Sequence, residues 1–384
     1  MNRLVIIGNG FDMAHGLKTS YKDFINWYLE QRLHDMLLEE SAISADCLCK
    51  FEVKKTTDCS SWSIYFYFNS FRFRDISTDK WKFPPLDIIR TFKDNSDYFS
   101  VTSSKFFEML IQSIETKGWV DIENDYYQLL KRCTKDPNCG YTAKELNDQL
   151  DFLRTKLAEY LKTLSQPDLI SNINYALERD GIHLVDLSTE GKILAKKIED
   201  INIDYNSFDD NRYLDENLSV FMPEHTMILC FNYTETANMY VQLGGLIPNY
   251  IHGDLEHPEH IIFGYGDELD KDYPDILDKN DNELLRNVKS VKYQETRNYR
   301  KLLDFLTAAP FQVLIMGHSC GNSDRTLLNT VFEHENCVSI KPYYHQWEDG
   351  SDNYLELVQN ISRNFTNMRL FRDRVVNKEQ CKTI

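Results

Sequence analysis

The first apolar stretch of the chain is four residues long, Leu4-Val5-Ile6-Ile7, and it stops at Gly8. Aliphatic, mostly β-branched side chains with no polar alternation predict a parallel strand buried on both faces. The loop Gly8-Asn9-Gly10-Phe11-Asp12 follows. Ser20, with Asp23 three positions on, then makes a capping-box-like helix start. Behind it Tyr21, Phe24, Ile25, Tyr28 and Leu29 recur at helical spacing. The opening therefore predicts strand, glycine loop, helix.

From about residue 40 to 105 the pattern is less regular, and the alternating stretch from Ser63 to Phe68 fits a short strand or an exposed hairpin. Lys105 to Thr116 and Tyr126 to Cys133 have helical character. Residues 143–165 give the clearest helix, with Leu146, Leu150, Leu153, Leu157, Leu161 and Leu164 three or four apart. Core strands resume at Met227–Phe231, before Asn232-Tyr233-Thr234. Short apolar runs follow at Tyr250-Ile251, at Ile261–Phe263 before Gly264, and at Gln312–Met316 before Gly317, the last with helical stretches on both sides.

Strands at both ends of the chain and helices between them predict an α/β fold. Residues 1–31 and 223–384 are expected to form a mostly parallel, nucleotide-binding sheet domain, interrupted by a large, mainly helical insertion at 32–222. In such sheets ligands bind outside the carboxyl ends of the strands. Each polar motif discussed below follows an apolar strand directly.

Composition supports a folded protein of one elaborated domain or two: 384 residues, 42% hydrophobic and 27% charged. Forty-three basic residues against 60 acidic ones give a net charge of -17, which disfavours nucleic acid as a partner. A small basic patch around Arg286, Lys289, Lys292, Arg297 and Arg300 is the exception to look for. The sequence shows neither a signal-peptide core nor an apolar run of ~18 residues, so a cytoplasmic protein without a membrane span is expected. Nine cysteines without a C-x-x-C pair read as reduced thiols. Neither Cys47, Cys49 and Cys59 nor Cys133 and Cys139 have zinc-site spacing, and Pro258 breaks the His257-Pro-Glu-His260 pair, so no metal is predicted.

Four motifs carry candidate chemistry. The loop Gly8–Asp12, with Gly16 beyond it, lets the backbone turn sharply and approach a phosphate, although it lacks the third glycine of G-x-G-x-x-G. Asn232, at a strand end, either orients a ligand hydroxyl or water or caps the next helix. His252, between Ile251 and Gly253, is a candidate general base. Gly317-His318-Ser319-Cys320-Gly321 satisfies G-x-S-x-G, which admits an esterase with Ser319 as nucleophile. That reading needs an unusual topology, because His334 and His345 precede the candidate acids Asp349 and Asp352.

Taken together these segments resemble the AbiH family of bacterial abortive-infection proteins, which defend cells against bacteriophage. The resemblance rests on Leu4–Asp12 with His15–Tyr21, Gly118–Glu123, Phe231–Thr234, Ile251–Gly253, and Gly317–Ser319 through Ser323-Asp324. The same blocks resemble, more distantly, sirtuin-like NAD-consuming defence proteins. Gly8, Asn9, Gly10, Phe11 and Gly16 match their glycine pattern, Asn232 their catalytic asparagine, His252-Gly253 their catalytic His-Gly, and Gly317, Ser319 and Asp324 their ribose-binding segment. Asp12 departs from a serine in that pattern, and Thr234 from an aspartate.

This resemblance implies a Rossmann-like, sirtuin-like fold and NAD as substrate or ligand, with cleavage of its N-glycosidic bond through an oxocarbenium-like transition state. Asn232 would hold the nicotinamide ribose or a water, and His252 would accept a proton. Gly8, Asn9 and Gly10, with Phe11 and Asp12, would line the pyrophosphate side. Gly317, Ser319 and Asp324 would hold the adenosine ribose. Trp119-Val-Asp121-Ile-Glu123 has no sirtuin counterpart, and its acids either reach a pocket or begin a helix. The alternatives are a nucleotide-binding sensor without turnover and the Ser319 esterase. Expected partners are a nucleotide, a phage-derived trigger or partner protein and, as an open question, a second copy of the chain.

Overall fold

The computed structural model describes residues 1–38, 42–54, 74–75, 80–81, 85–118, 120–136, 138–178, 180–202, 220–241 and 246–384. The alternating stretch 63–68, Cys59 and Trp119 lie outside these residues. The chain divides into two compact units, one of Met1–Lys18, Leu164–Pro274 and Asn287–Ile384, the other of Thr19–Thr163 and Asp275–Arg286.

The first unit is built on a five-stranded sheet whose strands are numbered here along the chain: β1 (Asn2–Ile7), β2 (Thr226–Cys230), β3 (Leu246–Tyr250), β4 (Phe311–Met316) and β5 (Cys337–Tyr343). All pairings are parallel, and the spatial order is β3-β2-β1-β4-β5. The order thus runs outward in both directions from β1, where Leu4 stands between Met227 and Val313.

Alternate side chains of the same strands feed two cores. Leu4, Ile6, Met227, Leu229, Val313 and Ile315 pack with Leu302, Phe305, Leu328, Phe332 and Ile361 from the C-terminal helices. Val5, Ile7, Ile228, Cys230, Leu314 and Met316 pack on the other side with Phe11, Ile173, Leu177 and Tyr240. Burial on both faces is why β1, β2 and β4 carry the apolar runs Leu4–Ile7, Met227–Phe231 and Val313–Met316. Each such side chain contributes ~1.5–3 kcal/mol by leaving water.

The edges follow a different rule. β3 contains Pro248 and β5 contains Pro342, and a residue without an N–H is tolerated at a sheet edge. β5 also buries Ser339, which accepts from Gln312 at 3.3 Å, and Lys341, which donates to Asp186 at 2.7 Å. Polar residues that find their partners inside the fold break the apolar run, so this strand has no clear signature. Ile261–Phe263, expected as a short strand, is instead an extended connection pinned by single bonds, including Ile262 N–H to the His252 carbonyl at 2.8 Å.

The second unit is mainly helical and holds a three-stranded antiparallel sheet of Ile43–Ala45, Cys49–Val53 and Phe99–Ser103. Its helices start where side chains satisfy their first amides. Ser20 does so for Tyr21–Leu38, Ser104 for Lys105–Lys117, and a full capping box of Thr142 and Glu145 for Ala143–Leu161. Asp121 caps Ile122–Lys135 by accepting from Asn124 N–H at 3.0 Å, which is the helix-start alternative for that residue. Glu123, in the first turn of that helix, is buried. Among the described residues no helix is long and apolar enough to cross a membrane.

Candidate functional site at the strand ends

Because β1 to β4 run the same way, the segments that follow them emerge at one edge of the sheet. The loops after β1 and β4 meet directly. Gly10 N–H donates to the Gly317 carbonyl at 2.7 Å. A Cβ on Gly317, whose φ is +70°, would lie 2.0 Å from Phe11 N, and one on Gly8 would lie 2.7 Å from the His318 ring. These glycines are therefore required by loop packed on loop, whatever ligand the loops also face. Phe11 turns its ring into the core, 5.7 Å from Tyr240. His15 is held in the same way, donating from Nδ1 to the Phe11 carbonyl at 2.7 Å and meeting the Tyr240 hydroxyl through Nε2 at 2.6 Å. Asn9, by contrast, is exposed.

The loop after β2 locks onto the loop after β1. Asn232 Nδ2 donates to the Gly8 carbonyl at 2.9 Å, so its side chain bridges two strand ends and does not cap a helix. Two positions along, Thr234 Oγ1 donates to Asp12 Oδ2 at 2.5 Å. Asp12 is 1% exposed, and burial raises its carboxyl above the ordinary range, opposed by the hydrogen bonds from Thr234, Thr236 and Asn232.

The turn after β3 carries His252. Gly253 takes a φ of +83°, its N–H returns to the Tyr250 carbonyl at 3.0 Å, and the histidine is left 4% exposed. Its Nε2 lies 3.3 Å from Asp324 Oδ1 and 3.2 Å from the Tyr293 hydroxyl. Lys289, 1% exposed, donates to the same Asp324 oxygen at 2.7 Å. His318 Nε2 stands 3.6 Å from the other oxygen, and its Nδ1 accepts the Cys320 N–H at 3.0 Å. An Nδ1 that accepts must be unprotonated, which puts the His318 ring proton on Nε2, toward Asp324. The Phe231 ring touches both histidines, with centroids 5.1 Å from His252 and 4.2 Å from His318.

Electrostatics follow from burial. Removal from water, then the Lys289 ammonium, push His252 down to about 4, so it is neutral at pH 7. Burial pushes Asp324 up, but Lys289 and the two histidines outweigh it and hold the carboxyl well below the carboxylate range. A buried pair of this kind costs desolvation that only close, multiple partners offset.

The structure thus joins Gly8 to Asn232, and His252 to Asp324 and the His318 of the Gly317 segment. Ser319 is exposed and has no histidine at hydrogen-bonding distance; its carbonyl accepts from Asn360 at 3.0 Å. Lys289, expected in a surface basic patch, is buried in the cluster instead, because its charge is matched there by Asp324. Lys289, His318 and Tyr293 were not singled out by motif. His318 had a signal in its place after β4, whereas Lys289 had none. Among the described residues, metal-ligating atoms gather within 4.8 Å at Asp254, Glu256 and His257, an exposed group on the turn after His252. Asp254 there accepts from the Glu256 and His257 amides, both at 3.0 Å.

A parallel α/β sheet with a buried, polar cluster at the carboxyl ends of its strands is the class these features define. The family model described as bacteriophage abortive infection AbiH matches residues 4–345, and the chain belongs to this family. Its function accordingly lies in abortive infection, a defence against bacteriophage. No curated protein and no solved structure matches the chain.

Proposed function

We propose that the abortive-infection activity is hydrolysis of the N-glycosidic bond of NAD at a sirtuin-like site on a Rossmann-like sheet. The observation that carries this reading is the convergence of the four segments that follow β1, β2, β3 and β4: Asn232 bonded to Gly8, Gly10 bonded to Gly317, and His252 and His318 standing 3.3 and 3.6 Å from Asp324. The strand order 3-2-1-4-5 supports it, since the direction of winding reverses between β1 and β4, where doubly wound sheets take nucleotides.

The two departures from the sirtuin pattern are each other's partners. Asp12 stands in place of a serine and Thr234 in place of an aspartate, and the pair is hydrogen bonded at 2.5 Å. In this chain the Thr234 hydroxyl and the Asp12 carboxyl thus tie the loop after β2 to the loop after β1.

In the reaction, water replaces nicotinamide at the ribose anomeric carbon. The C–N bonding pair leaves with the ring, turning a pyridinium into neutral nicotinamide, so the leaving group needs no proton. The attacking water must lose one, and a single base suffices. His252, neutral at pH 7, takes that proton, and Asn232 positions the water or the ribose. Gly10 N–H is committed to Gly317, so the pyrophosphate falls to the remaining loop amides around Gly8 and Asn9. Exposed Ser319 is available to the adenosine ribose.

A binding-only sensor is the second reading, and the low basicity of His252 favours it, because a base near 4 is far from the operating pH. The test is nicotinamide release by the purified protein in phage-infected extract, wild type against His252→Ala. The hydrolase reading expects release by the wild type and its loss in the variant. Tight NAD or ADP-ribose binding by calorimetry without product would replace it with the sensor, and undiminished release by His252→Ala would remove the proton-accepting role.

A further inference from the structure

We infer that Asp324, backed by Lys289, is the positioning group for His252, holding its ring in the tautomer with the proton on Nε2 and the lone pair on Nδ1. This rests on the reading of His252 as proton acceptor and changes the role of Asp324 from ribose ligand to ring orienter.

Both oxygens of Asp324 already have partners within the protein. Oδ1 faces Lys289 Nζ at 2.7 Å and His252 Nε2 at 3.3 Å, and Oδ2 faces His318 Nε2 at 3.6 Å. The residue is 8% exposed, so little of it is left for a ribose. A bare Nε2 lone pair would repel an ionised carboxylate 3.3 Å away, whereas an Nε2–H is attracted to it while donating to the Tyr293 hydroxyl oxygen at 3.2 Å. The arrangement is base plus orienting third group, as in activated hydrolytic sites.

Lys289 is placed for this by a short spacer, Gly264-Tyr265-Gly266. On one side Lys289 N–H donates to the Tyr265 carbonyl at 3.0 Å; on the other Gly266 N–H donates to the Ser323 carbonyl at 2.9 Å. A Cβ on Gly264 would strike the Asn287 carbonyl at 1.9 Å, and one on Gly266 would sit 3.0 Å from Lys289 Cβ. The spacer therefore sets how far Lys289 stands from Asp324. With its ammonium in place the carboxyl stays ionised, and an ionised acceptor is what fixes the imidazole proton. The charged or titratable groups around the ring are Asp324, Lys289, His318 and Tyr293.

The experiment is nitrogen NMR of the full chain with isotope-labelled histidine, reading long-range proton couplings of His252, whose signals are assigned by their loss in His252→Gln. The wild type should show the Nε2–H tautomer from pH 6 to 8. In Asp324→Asn the side-chain amide can donate to Nε2, and the ring proton should move to Nδ1. Lys289→Met should raise the His252 pKa by ~1 unit by removing a like charge. A wild-type Nδ1–H tautomer overturns the inference without any variant, as do variant spectra superposable on the wild type. Where NAD is turned over, Asp324→Asn should lower kcat ~100-fold or more with KM little changed. Nε2–H in a wild type that releases no nicotinamide counts against the hydrolase reading alone; release with Nδ1–H counts against this inference alone.

Discussion

The contact between the loops after β1 and β4 can be broken by one methyl group. Gly317→Ala puts Cβ 2.0 Å from Phe11 N and 2.5 Å from Gly10 C, in a backbone with φ +70°. Both neighbours are main chain, so no rotamer change relieves the overlap. The left-handed conformation costs ~1–2 kcal/mol for alanine, overpacking ~1–3 kcal/mol, and loss of the 2.7 Å Gly10–Gly317 bond ~0.5–1.5 kcal/mol. Together these come to about 3–6 kcal/mol, a fall in Tm on the order of 10 °C for a unit of this size. Gly16→Ala is the control: φ is +80°, yet a Cβ there meets nothing within 4 Å, so only the conformational ~1–2 kcal/mol applies. Gly10→Ala separates the terms from the other side, since its Cβ would lie 2.8 Å from the Gly317 carbonyl without a positive φ. Thermal and urea unfolding of the three variants, followed by circular dichroism, gives the ranking. If Gly317→Ala loses no more than Gly16→Ala, the loops do not pack as described.

Two further outcomes are expected. His252 is neutral in the fold and held near 4, while the unfolded chain takes up a proton below its ordinary value of 6.5. Its contribution to stability is therefore present above about pH 6.5 and lost as pH falls toward 4, with a slope of at most ~1.4 kcal/mol per pH unit. The urea midpoint should fall between pH 7 and 5 more steeply in the wild type than in His252→Gln; parallel profiles would contradict the burial of a neutral ring. Ser319, exposed and without a histidine, should remain unlabelled by a fluorophosphonate probe. Labelling lost in Ser319→Ala would restore the esterase.

What could be read in the sequence depended on how local the cause was. β1, β2 and β4 are buried on both faces, and four or five apolar residues in a row say so without help from elsewhere. β5 is buried just as deeply, but Ser339 and Lys341 are paid for by Gln312 and Asp186, and those partners are invisible from the strand itself. Ile261–Phe263 erred the other way: its apolar side chains are buried, but its amides go to single acceptors and not to a ladder. The same division holds at the site. Gly8, Asn232, His252 and Gly317 each follow a strand immediately, so the fold rule that places ligands at strand ends picks them out. Lys289 follows no strand and sits among other basic residues, and its meaning lies in a carboxylate 35 positions later.

The central position of β1 also sets an order of events on the ribosome. The innermost strand is made before every other strand of its sheet, and the residue that ties its loop, Asn232, is 224 positions behind Gly8. At ~5–20 residues per second that is roughly 10–45 s of synthesis during which Leu4–Ile7 have no neighbouring strand. His252 and Asp324 emerge later still. With this strand order the cluster of His252, His318 and Asp324 cannot assemble on a nascent chain until Asp324 itself has been made.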